Sequence, residues 1–294
     1  MHYSTRFIHR IHENFLIVGL HDYEEIQQLN TLQNEYVEIS LDALCCLKHF
    51  PNIKHLILTP GSINPDELDL LYGLRIKSLK LDFYTYEIDH YTIDIGAFPE
   101  LELVFARTQY CFSNIRKCLS LKTLIVQEWL TPDLTYLGGS SVQALSIFSG
   151  KLNSLNGIAG IPNLISLSLS NQKQLSDCSQ LETNRLESLG IENCGKINVM
   201  NLPVLPYVRM VYLSGRNKIP NIYTILQLAP MVEWLLLDQR VEDGDLAPLN
   251  SLKHVVLFSD CRHYSHKNGE LPKSTVRFQS NIISKTFEIL PEAY

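Results

Sequence analysis

The segment Asp260–His266 carries three side chains of the types that ligate zinc, namely Cys261, His263 and His266. A structural zinc site is tetrahedral, so three ligands on one loop do not complete it, and no second pair of Cys or His residues follows. We therefore interpret the segment as a solvated loop. A metal-binding or enzymatic protein that uses this Cys/His loop is kept as an alternative function.

A hydrolase-like triad would need one of four serines as nucleophile, with His254 as base and Asp238 as the orienting carboxylate. The serines are Ser166, Ser168, Ser170 and Ser188. In a sheet built from the repeat of this chain they lie about three to four strands from His254, which is roughly 14 Å or more at about 4.8 Å per strand. The sequence also lacks a nucleophile elbow, a glycine-rich phosphate loop and an HExxH motif. We predict no catalytic residues, no enzymatic activity and no cofactor.

An acidic run, Asp238–Asp245, contains Glu242, Asp243 and Asp245, which have the carboxylate chemistry of a calcium site. The run lacks the alternating ligand order and the terminal glutamate of a calcium loop. It therefore predicts a solvated turn followed by a helix N-terminus, with no metal.

Composition narrows the classes of partner. The 294 residues are 45% hydrophobic and 19% charged, with a formal net charge of -6, so the chain can bury a large core. A pI near 5.9 and the absence of a Lys/Arg block disfavour nucleic acid as a partner.

No apolar run approaches the roughly 18 residues of a membrane span, and the run Phe15–Leu20 is too short for a signal-peptide core. The seven cysteines form no disulfide framework and indicate reduced thiols in a cytoplasmic protein.

A repeat organises the chain: an apolar residue, two of any type, an apolar residue, one of any type and an apolar residue. The clear copies begin at Ile53, Ile76, Leu101, Leu121, Val142, Leu164, Leu186, Val208, Val232 and Leu252. Two weaker copies are placed at Phe15/Val18/Leu20 and Tyr36/Ile39/Leu41. The mean period is about 21.5 residues, and a fixed period of this size is typical of stacked repeats.

The best copy, Val142–Asn163, resembles the 22-residue repeat of bacterial internalins, a leucine-rich-repeat family. After Val142, Leu145 and Ile147 it carries apolar residues at the remaining inward spacings of that family, which are Leu152, Leu155, Ile158 and Ile161. The resemblance covers residues 53–258 well and residues 15–52 weakly. It implies an Asn or Cys eight residues after the first apolar position, where Cys194 follows Leu186. We therefore interpret the Cys194 thiol as structural rather than reactive or metal-binding. Most other copies depart from this position, with Gly61, Tyr84, Gln109, Trp129, Gly150, Gln172, Arg216, Arg240 and Asp260.

The predicted fold is an α/β leucine-rich-repeat solenoid. Alternating apolar residues in each copy predict a short parallel strand, and apolar residues every three predict a helical or 3₁₀ return segment. Stacked copies share one core, with the sheet on a concave face and the short helical segments on a convex face. We predict one continuous domain, with an N-terminal cap and degenerate repeats over 1–52, repeats over 53–258 and a C-terminal cap over 259–294. The helix-like spacing in Glu24–Val37 predicts a cover for the first end.

The third, fifth and seventh residues of each copy should project onto the concave face. Two apolar areas are predicted there, one around Leu103, Phe105, Ile125 and Phe148, the other around Met210, Tyr212, Trp234, Leu236, Val256 and Phe258. Ser166, Ser168, Ser170, Ser188 and Gly190 form a small-residue floor between them, and Glu192, Asp238 and Asp82 form an acidic rim. Large apolar side chains on an open strand face favour a protein interface, and Trp and Tyr are common anchors of such interfaces.

The sequence thus predicts a non-catalytic module that binds another protein on its concave face, for instance an immunity or inhibitor protein that blocks a toxin. The predicted partner-binding residues are Phe105, Ile125, Phe148, Glu192, Met210, Tyr212, Trp234, Leu236, Asp238, Val256 and Phe258. A substrate-recognition or scaffold subunit of a larger complex is an alternative function. Alternatives for the face itself are cover by the C-terminal cap, a homodimer contact, and a register in which these residues belong to the core.

Overall fold

Short parallel strands, each followed by a return segment, are the main regular elements of this computed structural model. The structure describes residues 7–9, 14–18, 35–88, 91–183 and 185–274. They form two compact units, one ending at Gln127 and one beginning at Glu128. The prediction of one continuous domain with caps at 1–52 and 259–294 stays a prediction.

In the first unit the main sheet has the strand order β1-β2-β3-β4-β5-β7-β9, and β6 pairs with β8. All pairs between β2 and β5, and the pair β5-β7, are parallel, whereas β1 is antiparallel to β2. The strands are β1 Phe7–His9, β2 Asn14–Val18, β3 Tyr36–Ser40, β4 His55–Thr59, β5 Ser78–Leu81, β6 Ile93–Asp94, β7 Leu103–Thr108, β8 Phe112–Ser113 and β9 Thr123–Trp129, whose last two residues fall in the second unit.

In the second unit the order is β10-β11-β12-β13-β15-β17, all parallel, and β14 pairs with β16. The strands are β10 Ala144–Gly150, β11 Ser166–Ser170, β12 Ser188–Glu192, β13 Met210–Ser214, β14 Lys218–Ile219, β15 Trp234–Leu237, β16 Arg240–Val241 and β17 His254–Leu257.

The return segments are mostly short 3₁₀ helices, as the spacing of three predicts. They are Leu41–His49, Pro65–Glu67, Thr85–Ile88, Ile95–Ala97, Gln109–Cys111, Ile115–Lys117, Thr135–Leu137, Ile158–Gly160, Ser179–Thr183, Val199–Asn201, Ala247–Ser251 and Asn268–Glu270. Two return segments contain α-helices, α1 Leu68–Tyr72 and α2 Ile222–Leu228. In α2 the side chain of Asn221 caps the first turn by accepting a hydrogen bond from the Thr224 amide at 3.0 Å. Among the described residues, no helix is both long and apolar enough to cross a membrane.

The core contains the residues that the repeat predicts. Leu167, Leu169, Leu189 and Ile191 are each at most 2% exposed. The later apolar positions Leu152, Leu155, Ile158 and Ile161 are fully buried. One repeat therefore buries its strand and its return segment against the same interior, as a stacked solenoid requires.

The two weak copies were placed two residues out of register with the first clear copy. We predicted Ile39 opposite Leu56, but the pairs are Val37 with Leu56 and Ile39 with Leu58. Val18 pairs with Ile39, as predicted, so the two weak copies are in register with each other. A slip of two residues keeps the same side chains inward because the side-chain period of a strand is two, so the apolar pattern alone did not distinguish the two registers.

The last strand of the second unit is covered by the chain that follows it. Val255 donates its amide to the Pro272 carbonyl at 2.9 Å, and Leu257 donates its amide to the Asn268 side chain at 2.9 Å. These bonds satisfy edge groups that would otherwise be open to strand pairing. The other predicted cover, over Glu24–Val37, lies outside the described residues up to position 34, and the apolar residues from Val276 onward lie outside them too.

Candidate functional site

The strands of the second unit carry a continuous set of outward side chains, which we call the second-unit face. Strand pairing places them in three rows that run across β11, β12, β13, β15 and β17. The first row is Ser166, Ser188, Met210, Trp234 and His254; the second is Ser168, Gly190, Tyr212, Leu236 and Val256; the third is Ser170, Glu192, Ser214, Asp238 and Phe258. Serine and glycine occupy the β11 side of this face, and large side chains occupy the β17 side.

An aromatic pair, Tyr212 and Phe258, forms the most accessible apolar part of the second-unit face. Their ring centroids are 6.1 Å apart with the planes at 65°, an edge-to-face arrangement that aromatic rings favour. Phe258 is 57% exposed, which is unusual for a phenylalanine, while Tyr212 is half-buried. Met210, Leu236 and Val256 are half-buried around this pair.

Trp234 has a different place from the one that its residue type suggests. It is only 9% exposed, and its ring stacks on His254 with centroids 4.6 Å apart. The backbone amide of Ser274 donates to Nδ1 of His254 at 2.9 Å, which fixes the imidazole. Trp234 is therefore a covered member of the first row, and Phe258 presents more accessible surface than it does.

Two carboxylates lie in the third row of the second-unit face. Ser170 donates its hydroxyl to Glu192 at 2.8 Å, and Ser214 donates its hydroxyl to Asp238 at 3.0 Å. The described ion pairs of the second unit, Arg209–Glu233, Lys253–Glu233 and Lys218–Glu242, involve neither carboxylate.

Both carboxylates affect the pKa of Tyr212. Burial raises the pKa of the Tyr212 hydroxyl, and the negative charges of Glu192 and Asp238 raise it further, while a hydrogen bond with Ser214 opposes the shift. The carboxylates are therefore close enough to act on the tyrosine hydroxyl, and together these groups form one apolar and negatively charged spot.

The outward strand residues of the first unit, which we call the first-unit face, pair with each other instead. Arg107 donates to Asp82 at 2.7 Å and to the Gln127 side chain at 2.6 Å, and Lys80 lies 3.1 Å from Asp82. The Lys80 ammonium also lies 5.6 Å from the centre of the Phe105 ring. Asp82, which the sequence placed in an acidic rim, is thus neutralised by two cations.

The first predicted apolar area is largely closed. Ile125 is 1% exposed and Leu103 is 9% exposed, so neither side chain presents surface to a partner. Phe105, in the first unit, and Phe148, in the second, are each half-buried. The sequence placed these side chains on the outward positions of their strands, but position alone did not show which of them neighbouring side chains would cover.

The Cys/His loop that suggested zinc is held by hydrogen bonds within the protein. His263 Nε2 lies 2.8 Å from the Val241 carbonyl, and His266 Nδ1 lies 2.9 Å from the Ser265 hydroxyl. In the described ranges, no group of three or more His, Cys, Asp or Glu residues is arranged to hold a metal ion.

Cys194 occupies the position that the repeat assigns to a structural Asn or Cys. Its thiol donates to the Leu169 carbonyl of the preceding coil at 3.5 Å and to the Glu192 carbonyl at 3.3 Å. Burial raises the pKa of the thiol, which disfavours the reactive thiolate. The thiol therefore stabilises the turn after β12.

Glutamines take the same role in other coils, where the sequence analysis named Gln172 as a departure and assigned the position to Arg240 rather than to Gln239. Gln172 donates to the Ile147 carbonyl at 3.5 Å and to the Ser170 carbonyl at 2.9 Å, the same two relative positions that Cys194 uses. Gln239 donates to the Ser214 carbonyl of the preceding coil at 3.4 Å. Glutamine carries the same side-chain amide donor as asparagine on a longer side chain. The position therefore requires a buried hydrogen-bond donor rather than one particular residue type.

The architecture is similar to that of a solved leucine-rich-repeat protein. A crystal structure of an internalin, InlF, from Listeria monocytogenes matches with a TM-score of 0.51 at 16% sequence identity, and the match covers 80% of this chain and 76% of that chain. No model of a known protein family matches the sequence, and no curated protein matches it. The internalin-type leucine-rich-repeat prediction is confirmed at the level of the fold: parallel strands and short helical return segments form stacked coils of about 22 residues.

Proposed function

We propose that the protein is a non-catalytic binding module whose second-unit face contacts a partner protein. The observation that carries this proposal is the aromatic pair of exposed Phe258 and half-buried Tyr212, on a strand face that carries three further large apolar side chains. A strand face left to solvent is normally polar, so this composition favours an interface.

Residue roles within the proposed interface follow from accessibility. Tyr212 and Phe258 are the contact residues, and Met210, Leu236 and Val256 surround them. Trp234 acts as a support rather than an anchor, because its ring stacks on His254 and only 9% of the residue is exposed. Phe105, Phe148 and Ile125 are not part of this interface in our proposal.

We further propose that the bound partner is thereby blocked, as an immunity or inhibitor protein blocks a toxin. The support is the negative charge of Glu192 and Asp238 beside the aromatic pair, which suits a basic protein and disfavours nucleic acid. The cytoplasm fits this role, because the seven cysteines are all free. Co-expression of an identified partner with and without this protein, with partner activity as the readout, tests the blocking role.

The binding role is tested with variants of the aromatic pair and a matched control. Tyr212→Ala and Phe258→Ala remove the contact residues. Tyr223→Ala removes an aromatic ring on α2 that is as exposed as Phe258, at 57%. Wild-type protein is used to capture partners from a lysate of the cells that produce it, and each captured protein is then purified and titrated by calorimetry. We expect each face variant to weaken binding by about 2 kcal/mol or more, which is about thirtyfold in Kd.

The control sets the standard for interpretation. Tyr223→Ala should leave Kd within about twofold, since surface substitutions away from an interface have small effects. If every captured protein binds the face variants as tightly as wild type while all variants keep the wild-type Tm, the proposal is wrong. A dimer of this chain that Tyr212→Ala dissociates would instead assign the face to self-association.

A further inference from the structure

The two carboxylates of the second-unit face differ from the other outward carboxylate that the sequence placed in the same rim. Asp82, on the first-unit face, is paired with Arg107 at 2.7 Å and with Lys80 at 3.1 Å. Glu192 and Asp238 each accept a hydrogen bond from a serine hydroxyl, and among the described residues neither forms an ion pair. A serine hydroxyl satisfies one carboxylate oxygen but leaves the negative charge uncompensated.

The aromatic pair lies beside these charges. Tyr212 and Ser214 are alternate residues of β13. Glu192 pairs with Ser214 from β12, and Asp238, which directly follows β15, accepts the Ser214 hydroxyl from the other side. The two carboxylates are thus separated by two strand spacings, which is about 9–10 Å between backbones. Phe258 extends the aromatic surface on the β17 side, where its ring meets that of Tyr212.

We propose that the partner inserts an arginine side chain at this spot, with its guanidinium group between Glu192 and Asp238 and its plane against the Tyr212 ring. This inference rests on the proposed function, because it names the chemistry of the partner at the same face. It makes Glu192 and Asp238 specificity-determining residues of the interface.

Arginine fits this arrangement better than lysine does. The guanidinium carries five N–H donors in a planar fork, so it can donate to two acceptors on opposite sides at once. Its flat faces stack on aromatic rings, and its weaker hydration lowers the cost of entering a partly apolar site. A lysine ammonium is a compact and strongly hydrated charge that cannot serve two carboxylates on opposite sides as well.

The test uses a defined probe and the full-length protein. N-acetyl-arginine N-methylamide is titrated while the side-chain NMR signals of Tyr212 and Phe258 are followed, and N-acetyl-citrulline N-methylamide serves as a neutral probe of nearly the same shape. We expect saturable shifts with the arginine probe only. The double variant Glu192→Gln/Asp238→Asn should raise the Kd of the probe at least about tenfold, the equivalent of about 1.4 kcal/mol.

The double variant is conservative. An amide oxygen still accepts the hydrogen bond from Ser170 or Ser214, so the variant changes charge and keeps the local hydrogen bonding. Glu242→Gln/Asp243→Asn, which also removes two negative charges but at exposed positions outside the second-unit face, is the matched charge control and should leave the Kd unchanged.

Each outcome decides the arginine proposal. Equal shifts from the citrulline probe, equal binding of N-acetyl-lysine N-methylamide, absence of any arginine-specific shift, or an unchanged Kd in the double variant would overturn it. The proposed function is judged separately by the Tyr212→Ala and Phe258→Ala titrations. A partner lost by those variants but indifferent to Glu192→Gln/Asp238→Asn would leave the binding role standing and remove the arginine.

Discussion

At the scale of single residues, burial decides the chemistry of the thiols. Cys194 lies in the polar turn 192–195, where a reactive cysteine could also be found. Its thiol is nevertheless buried and donates to two carbonyls. Cys178, which is also buried, has its pKa raised to about 12 by desolvation and by the neighbouring Cys194 and Asp177. Because the thiolate is the nucleophile, such cysteines are inert at neutral pH.

Thiol accessibility gives a direct prediction. Cys45 and Cys261 are half-buried, whereas the other five cysteines are buried. We expect iodoacetamide at neutral pH to alkylate Cys45 and Cys261 first in the folded protein, and all seven cysteines at similar rates in denaturant. Peptide mass spectrometry over a time course measures both. Alkylation of Cys194 as fast as that of Cys261 in the folded state would contradict the structural role.

The sequence predicts some residue roles well and others poorly, for physical reasons. The position of Cys194 follows from repeat spacing, so its role was predictable. The role of Gln172 was missed because the prediction looked for Asn or Cys instead of for any buried amide donor, and that of Gln239 because the spacing pointed to Arg240, one residue later. Trp234 was expected to anchor a partner because of its type, but the stacking of His254 on its ring is a tertiary contact that no local pattern reveals.

At the scale of elements, the backbone of one coil comes so close to the end of the next strand that only glycine fits there. Gly150, the last residue of β10, has a φ of +141°, which side chains rarely tolerate. A Cβ added there would lie 2.6 Å from the backbone nitrogen of Trp129 and closer still to its carbonyl oxygen. Lys151 donates to that same carbonyl, so the backbone of Trp129 is fixed in place.

Gly150→Ala should therefore destabilise the fold strongly. The backbone conformation alone costs about 1–3 kcal/mol, and the clash adds to it. Gly195→Ala is the matched control, since an added Cβ there meets no atom within 4 Å and the backbone φ is not in the left-handed region. Its free energy of unfolding should stay within about 0.5 kcal/mol of wild type. Urea unfolding of both variants measures the difference, and equal stabilities would refute the steric argument.

Elements were predictable where the apolar period repeats cleanly. In the main sheet, the pairs from β4 to β7 and from β10 to β17 have the registers that the repeat predicts, for example Leu167 opposite Leu189. The register of β3 was not predictable, because a slip of two residues preserves the pattern. The glycine at position 150 was visible in the sequence, but the close approach of Trp129 that requires it was not.

At the scale of the whole molecule, each unit presents a strand face of different character. The first-unit face is polar and self-paired through Asp82, Arg107 and Lys80. The second-unit face carries an aromatic pair, of which Phe258 is exposed, and two carboxylates that form no ion pair among the described residues. The net charge of -6 does not distinguish these faces, because it sums over both. The pairing of individual charges does distinguish them, and it supports our proposal that the second-unit face binds the partner.

Hydroxyl-radical footprinting would test this assignment on the intact protein. In the free protein, Phe258 should be oxidised at a rate comparable to that of Tyr223, since each is 57% exposed. In a complex with a captured partner, Phe258 and Tyr212 should be protected, while Tyr223 and the 43% exposed Tyr110 of the first unit should not change. Protection of Phe258 already in the free protein would mean that a second copy or the chain's own residues cover the face. Protection of Tyr110 instead of Phe258 in the complex would place the partner on the other unit. Because the four side chains are all aromatic, differences in their oxidation rates report accessibility. The comparison therefore shows which of the two units the partner contacts.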